Sequence, residues 1–322
     1  MIQLIGNKSI IVGIANGLRK QKCEFHVYGN NCPIDFDKDI FTEVNSANEL
    51  KKALLSDCKS GFRLSAAAPW IFDDAFLQAF EPYGIFNIHG TSLPQDRGGT
   101  IVSWQIMNRK RLGFAIIHKM HKNPDAGSIL QVQEFIYSSS CRTPLDFIQE
   151  YEKQQIDIGI NACIGYSKGN LDLKNLSKQP EYLSTYWPRL KSSLNGWIDW
   201  SWNGYHLESF ILAFDVPYDG AYSTWRGKTI KIKSVFFQPD LLFAPYQWGL
   251  VYRINRGEKL RYLAVAINGG TLYIQSICDQ NGIDLINLVA VGDRFLTQPQ
   301  QLSEAAKRTV KYNDGLVVQE EL

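Results

Sequence analysis

The chain has 322 residues, 45% of them hydrophobic, the make-up of an ordinary globular protein of two or three domains. Its 34 Lys and Arg against 32 Asp and Glu leave a net charge of +2, which gives no electrostatic case for nucleic acid or an anionic membrane surface. Six scattered cysteines without a CxxC pair argue against a disulfide framework or zinc site and for a reducing cytoplasm. Ile2 to Ile5 reads as a strand ending at Gly6-Asn7-Lys8-Ser9; it lacks the basic start and long apolar run of a signal peptide. No stretch reaches the roughly 18 apolar residues that cross a bilayer. Ile10 to Leu18 carries helical spacing with Ser9 as the expected N-cap. Glu24 to Tyr28 is a strand, Asn48 to Leu55 a helix, Phe62 to Ser65 a strand, and Asp73 to Phe80 a helix capped near Asp73. Ile85 to Ile88 is the next strand, followed by strands at Phe114 to His118 and Ile129 to Phe135. Thr143-Pro144 opens a long helix to about Ile164, with Thr as cap and Pro in the first turn.

This alternation predicts an α/β fold: a Rossmann-like, mostly parallel sheet with helices on both faces. Periodicity fades between Tyr166 and Gln179. An aromatic stretch follows, then a helix at Leu207 to Phe214. Short strands come next, at Thr229 to Phe237, Trp248 to Ile254, Tyr262 to Ile267 and Thr271 to Ile277. Their regular turns predict a small β-rich, barrel-like C-terminal domain, and Leu302 to Thr309 adds a helix. The expected division is a catalytic Rossmann-like domain over 1–180, an aromatic connector over 181–204 and the C-terminal domain over 205–322.

The chemistry concentrates in two segments, Asn87-Ile88-His89-Gly90-Thr91-Ser92-Leu93-Pro94 and Asn123-Pro124-Asp125-Ala126-Gly127. Asn87 and His89 lie two residues apart at a strand end, on one side of it, and strand ends of open α/β sheets are where ligands bind. An amide that can hold an oxyanion, an imidazole base and a carboxylate together make acyl-transfer equipment. His118 and His121 form an H-x-x-H across a strand-to-loop transition, which does not bring both onto one face as a metal pair.

The pattern Asn-x-His with a Ser-Leu-Pro turn, then Arg97-Gly98-Gly99 and Asp125-Ala126-Gly127, resembles the formyltransferases that use N10-formyltetrahydrofolate. Asn195 to Trp200 and Ile211 to Ala221 resemble the start of the C-terminal domain in methionyl-tRNA and sugar N-formyltransferases. The turn departs from the family's usual Ser-Leu-Leu-Pro, and Gly6-Asn7-Lys8-Ser9 replaces the Gly-Thr-Pro loop of the tRNA enzymes. The resemblance implies that Asn87 stabilises the oxyanion, His89 shuttles protons, and Asp125 orients His89. It also implies N10-formyltetrahydrofolate as co-substrate, held near Ala67, Pro69, Trp70, Lys122 and Asn123, with no metal.

The acceptor is the open choice. The stretch Tyr182 to Leu190 followed by Asn195 to Trp200 looks more like sugar N-formyltransferases, and from Arg189 onward Lys plus Arg nearly balances Asp plus Glu, where a tRNA enzyme should show a basic surface. The expected activity is formyl transfer to the amino group of a nucleotide-linked amino sugar, as in surface polysaccharide biosynthesis. Lys8, Ser9, Arg97 and Gly98 are the candidate substrate contacts, on the anion-binding logic of helix starts and cations. Methionyl-tRNA formylation is the alternative; a folate- or nucleotide-binding module and a formyl-folate hydrolase are others. The expected partners are the sugar nucleotide and, through the strand-rich C-terminal region, a second copy of the chain; neither membrane nor nucleic acid is expected.

Overall fold

The computed structural model describes residues 1–6, 8–33, 36–57, 60–70, 72–98, 101–257, 260–307, 311–313 and 316–318. Asn7, Cys58, Gly99 and the expected helix end at Thr309 lie outside the described residues. In chain order the first half runs β1 (Ile2–Ile5), α1 (Ser9–Lys20), β2 (Phe25–Gly29), β3 (Phe41–Glu43), α2 (Ala47–Asp57), β4 (Phe62–Ser65), α3 (Asp74–Gln78) and β5 (Phe86–His89). It continues with β6 (Arg97–Gly98), α4 (Ile101–Met107), β7 (Leu112–Lys119), β8 (Ile129–Ile136) and α5 (Pro144–Ser167).

Seven of these strands form one sheet in the order β3-β2-β1-β4-β5-β7-β8. The first five are parallel, while β7 and β8 run antiparallel to their neighbours. The chain leaves β1 toward β2 and β3 and returns on its other side as β4, so the strand order reverses between β1 and β4. Crevices at such reversals, beyond the carboxyl ends of the strands, hold ligands.

The helices cover both faces because each carries a buried stripe. On one face α1 buries Ile10, Ile11, Ile14, Ala15 and Leu18 against Leu4, Val27, Leu64, Phe86 and Ile117, with Ile158 and Ala162 of α5 completing the cluster. On the other face Leu50 and Leu54 of α2 and Phe76 of α3 pack with Tyr28 and Ile85. Each fully buried aliphatic side chain contributes about 1.5–3 kcal/mol. The start of α5 is fixed by a capping box: Thr143 Oγ1 accepts from the Asp146 N–H and the Asp146 carboxylate accepts from the Thr143 N–H. Asp73 caps α3 as expected, accepting from Phe76 N. At α1 the expectation changes. The N-cap is Lys8, with no side-chain cap, and Ser9 is the first helical residue.

The second half contains β9 (Tyr186–Trp187), paired with β6, then α6 (Ser192–Asn195), α7 (Gly204–Ala213), β10 (Ala221–Trp225), β11 (Lys228–Gln238) and β12 (Val251–Arg256). It ends with β13 (Arg261–Ile267), β14 (Gly270–Cys278), β15 (Phe295–Leu296), α8 (Pro299–Lys307), β16 (Lys311–Asn313) and β17 (Leu316–Val318). Six strands make an antiparallel sheet in the order β12-β13-β14-β11-β10-β15. Its two edges meet: Val251 N donates to Asp293 O at 2.8 Å and Phe295 N to Gly249 O at 2.9 Å, and Leu250 bridges Arg294. The sheet therefore curls into a barrel, which removes its free edges.

The barrel core is continuous with the first half. Val102 and Ile106 of α4, Phe147 of α5, Tyr137 and Cys141 share one buried cluster with Phe210 and Ile211 of α7 and Trp225, Ile232 and Val265 of the barrel. The tryptophans of the connector serve packing: Trp200 is buried and stacks on Phe295, and Trp187 sits 5.1 Å from Trp104. No helix among the described residues is long and apolar enough to cross a membrane.

Candidate active site

A cleft of about 1090 Å³ opens at the strand-order reversal. Its floor is made by strand ends: Ser65 of β4, Asn87 and His89 of β5, and His118 of β7. The pairing of β5 with β7 sets Asn87 opposite His118. The two walls lie on opposite faces of the sheet. Ala67, Trp70, Phe72 and Leu77, with Met120 and Lys122, form the wall on the α3 side. Lys8, Tyr151, Gln155, Arg189, Lys191 and Tyr218 belong to the other, on the side of α1, α5 and the barrel.

Asn87, His89 and Asp125, expected from sequence, do converge here. Asn87 lines the cleft, and the described residues give its side chain no hydrogen bond. His89 is buried, at 8% exposure, and its two nitrogens have distinct surroundings. Nε2 lies 2.6 Å from Thr91 Oγ1 and 3.1 Å from the Asp96 carbonyl oxygen. Thr91 Oγ1 itself donates to that carbonyl at 3.0 Å, so the hydroxyl hydrogen is already used. Both oxygens then accept from Nε2–H, which assigns the neutral ring its proton on Nε2. The lone pair sits on Nδ1, 3.5 Å from Asp125 Oδ1.

Asp125 Oδ1 is farther from Nδ1 than a good hydrogen bond allows, and Thr91 and the Asp96 carbonyl hold the Nε2 side of the ring. Asp125 Oδ1 faces the Nδ1 side of the ring. Burial lowers the His89 pKa from its ordinary 6.5, partly opposed by the Asp125 charge, so the ring is a neutral base near pH 7. Burial works against ionisation of Asp125 too, but His89 and His118 and the Gly98 N–H outweigh it and hold the carboxyl well below the usual range.

His118 is not among the site residues expected from the sequence, yet it stands beside Asp125. It is buried, and its Nε2 lies 3.6 Å from the same Asp125 oxygen. Asp125 thus faces two imidazoles. The available signal was positional: His118 leads seven residues into Asp125 on a strand that had to pass beside Asn87 for the two segments to meet. Among the described residues no His, Cys, Asp or Glu cluster is arranged to hold a metal ion.

The Asp125 turn is built under constraint. Asp125 has φ +56°, and Ala67 on the α3-side wall has φ +50°, a left-handed conformation that costs a non-glycine residue free energy and clusters at functional sites. A Cβ on Gly127 would meet the Lys119 carbonyl oxygen at 1.6 Å, so only glycine lets the turn return against β7. Gln179 then clamps it, its Nε2 donating to the carbonyls of Asp125 at 2.8 Å and Gly127 at 2.7 Å.

Arg97, expected to meet an anionic substrate, is placed otherwise. It is buried, donates to Gln179 Oε1 at 2.9 Å, and forms a two-pronged pair with Glu181 at 2.9 Å on each prong. Its charge is satisfied within the protein and it braces the Asp125 turn through Gln179. Ala67, Trp70, Lys122, Lys8 and Gly98 line the cleft as expected, whereas Pro69, Asn123 and Ser9 do not. Lys122 lies 3.9 Å from Asp74. Lys8 and Lys191 have no ion pair among the described residues.

Residues 191–282 match the family "Formyl transferase, C-terminal domain". The fold is also that of several solved N-formyltransferases. One from Helicobacter canadensis, solved with folinic acid and dTDP-3-aminofucose, is 16% identical with a TM-score of 0.63, over 85% of this chain and 98% of that one. WlaRD, a sugar 3N-formyltransferase solved with dTDP and 5-N-formyl-THF, is 17% identical with a TM-score of 0.62, over 85% and 96%. A 4-N formyltransferase from Francisella tularensis is 16% identical with a TM-score of 0.55, over 69% and 90%.

Proposed function

We propose that this chain is an N-formyltransferase that moves a formyl group from N10-formyltetrahydrofolate to the amine of a nucleotide-linked amino sugar. The observation that carries the reading is the meeting of Asn87, His89 Nδ1 and Asp125 at the floor of a cleft with two separate walls, one for each reactant. The match of residues 191–282 to the formyl transferase C-terminal domain supports it. So do the folate compounds in two solved neighbours, one of them with dTDP-3-aminofucose and the other with dTDP, which favour a sugar acceptor over methionyl-tRNA.

The α3-side wall suits a pterin: Trp70, Phe72, Leu77 and Met120 offer flat apolar surface, and Lys122 at the rim suits a carboxylate tail. The folate supplies the formyl group. The acceptor amine nitrogen bonds to the formyl carbon, and the bond from that carbon to the folate nitrogen breaks. Asn87 donates to the formyl oxygen as negative charge develops on it, a contribution of about 3 kcal/mol for such donors. His89 Nδ1 takes the amine proton and Asp125 stabilises the resulting imidazolium; the proton then goes to the departing nitrogen. Holding both reactants on facing walls supplies the remaining advantage. On the opposite wall Lys8 and Lys191, both lining the cleft without an ion pair among the described residues, suit the diphosphate of the acceptor.

The test is a panel of nucleotide-linked amino sugars incubated with the formyl donor and read by mass for gain of one formyl group. Formylation of one member, abolished by Asn87→Ala, His89→Asn and Asp125→Ala in folded protein, is expected. Turnover by those variants near that of the parent would overturn the assignment. Formylation of initiator methionyl-tRNA alone would transfer the reading to that acceptor.

A further inference from the structure

The wall on the barrel side contains a polar group that the catalytic triad does not use. Ile148, Tyr151 and Gln155 project from one face of α5 into the cleft, at the i, i+3, i+7 spacing that aligns them. Gln155 is only 3% exposed, yet its Oε1 is buried without a hydrogen-bond partner. Leaving a buried carboxamide unmatched is costly. Gln155 also lines the cleft that holds the triad, where a bound ligand can complete it. It reaches the residue that follows His89: a Cβ on Gly90 would lie 3.0 Å from Gln155 Nε2 and 3.6 Å from the Tyr151 ring. Glycine at 90 is what lets this part of α5 close on the strand end. Tyr218, from the segment that follows α7, lines the same wall.

We infer that Gln155, flanked by Tyr151 and Tyr218, is the seat for the sugar ring of the acceptor, its carboxamide hydrogen-bonding ring substituents next to the reacting amine. This rests on the reading of the chain as a sugar-nucleotide formyltransferase and adds the residue that selects the sugar. The seat lies across the cleft from the Trp70 wall and on the same wall as Lys8 and Lys191. A hexose joined to a diphosphate therefore reaches the triad from one side while the formyl donor comes from the other. The phenol of Tyr151, pushed up to about 12 by burial first and by Glu152 and Tyr218 after it, keeps its hydrogen at working pH and can donate to a hydroxyl. The shared chemistry is a polar substituent on the ring, either the amine itself or a neighbouring hydroxyl.

The test compares Gln155→Met, which keeps the volume, with Gln155→Asn, which keeps the amide on a shorter stem. The probes are the amino sugar nucleotide that the panel identifies, its analogue lacking the neighbouring hydroxyl, and the bare nucleoside diphosphate. In Gln155→Met, affinity for the sugar nucleotide is expected to fall about tenfold, with affinity for the nucleoside diphosphate and KM for the formyl donor unchanged. Partial recovery is expected in Gln155→Asn. If the hydroxyl is the group read, the deoxy analogue binds the parent as weakly as the full substrate binds Gln155→Met; if the amine is read, the analogue still discriminates the two proteins. Equal loss of sugar nucleotide and nucleoside diphosphate binding, or no loss of either, overturns the inference and leaves the formyltransferase reading standing. A panel with no formylated sugar overturns both.

Discussion

The side chain of Gln179 holds the main chain of Asp125. Its amide nitrogen donates to the carbonyls of Asp125 and Gly127, and its oxygen accepts from the buried guanidinium of Arg97. The left-handed backbone of Asp125 is thus fixed from outside the cleft by a residue 54 positions away in the chain. Gln179→Leu is expected to lower kcat by about tenfold or more, since small misplacements of a catalytic group are expensive. The informative measurement is a double-mutant cycle. In an Asp125→Ala background the same substitution should cost little further, and an undiminished cost there would show that Gln179 acts elsewhere.

The proton inventory of His89 makes a pH prediction. Activity follows the neutral ring, so kcat/KM should fall as pH drops through a value below 6.5, because burial depresses the pKa more than Asp125 raises it. Asp125→Asn removes the raising charge and should move the His89 midpoint lower still, as read by NMR of the imidazole. A midpoint at or above 6.5 would contradict the assignment. Stability carries the same sign: as pH falls below 6.5 the unfolded chain takes the proton first, so the native state loses stability until the folded midpoint is passed.

Thr91 fixes which nitrogen of His89 is free. Thr91→Val removes the oxygen 2.6 Å from Nε2 and should lower kcat by about tenfold, the worth of one orienting hydrogen bond, with KM for both reactants held. Thr91→Ser keeps the hydroxyl and should restore most of the rate. Equal losses in both variants would place the effect in packing.

Away from the site, Thr143→Ala breaks the capping box of α5 and should reduce unfolding free energy by about 1 kcal/mol in urea titrations, with the formylation rate unchanged. A loss of rate without a loss of stability would mean that α5 is positioned by its cap more than by its packing.

Sequence spacing exposed the parts of this molecule that depend on neighbouring residues. The strand ending in Asn87 and His89, the Thr143 cap and the alternation behind the parallel sheet were all readable, because each is a local pattern. Arg97, a candidate substrate contact by its charge, is committed to Gln179 and Glu181, and those partners lie more than 80 residues away. His118 was passed over for the same reason, since its value comes from antiparallel pairing of β7 with β5. Helix α4, seven residues long, leaves no periodic stripe because Val102 and Ile106 answer to the barrel and to α5 at once. Ser9 fell one position inside the helix it was expected to cap, an offset that spacing does not resolve.

The buried cluster shared by α4, α5 and the barrel bears on how new acceptors could be engineered. Exchanging barrels between relatives at the apparent boundary would join mismatched halves of one hydrophobic interior and expose Phe147, Phe210 and their neighbours. A chimaera that keeps its fold must transplant the facing surfaces of α4 and α5 together with the barrel. Because α5 also carries Tyr151 and Gln155, such a graft would replace that wall of the cleft as well.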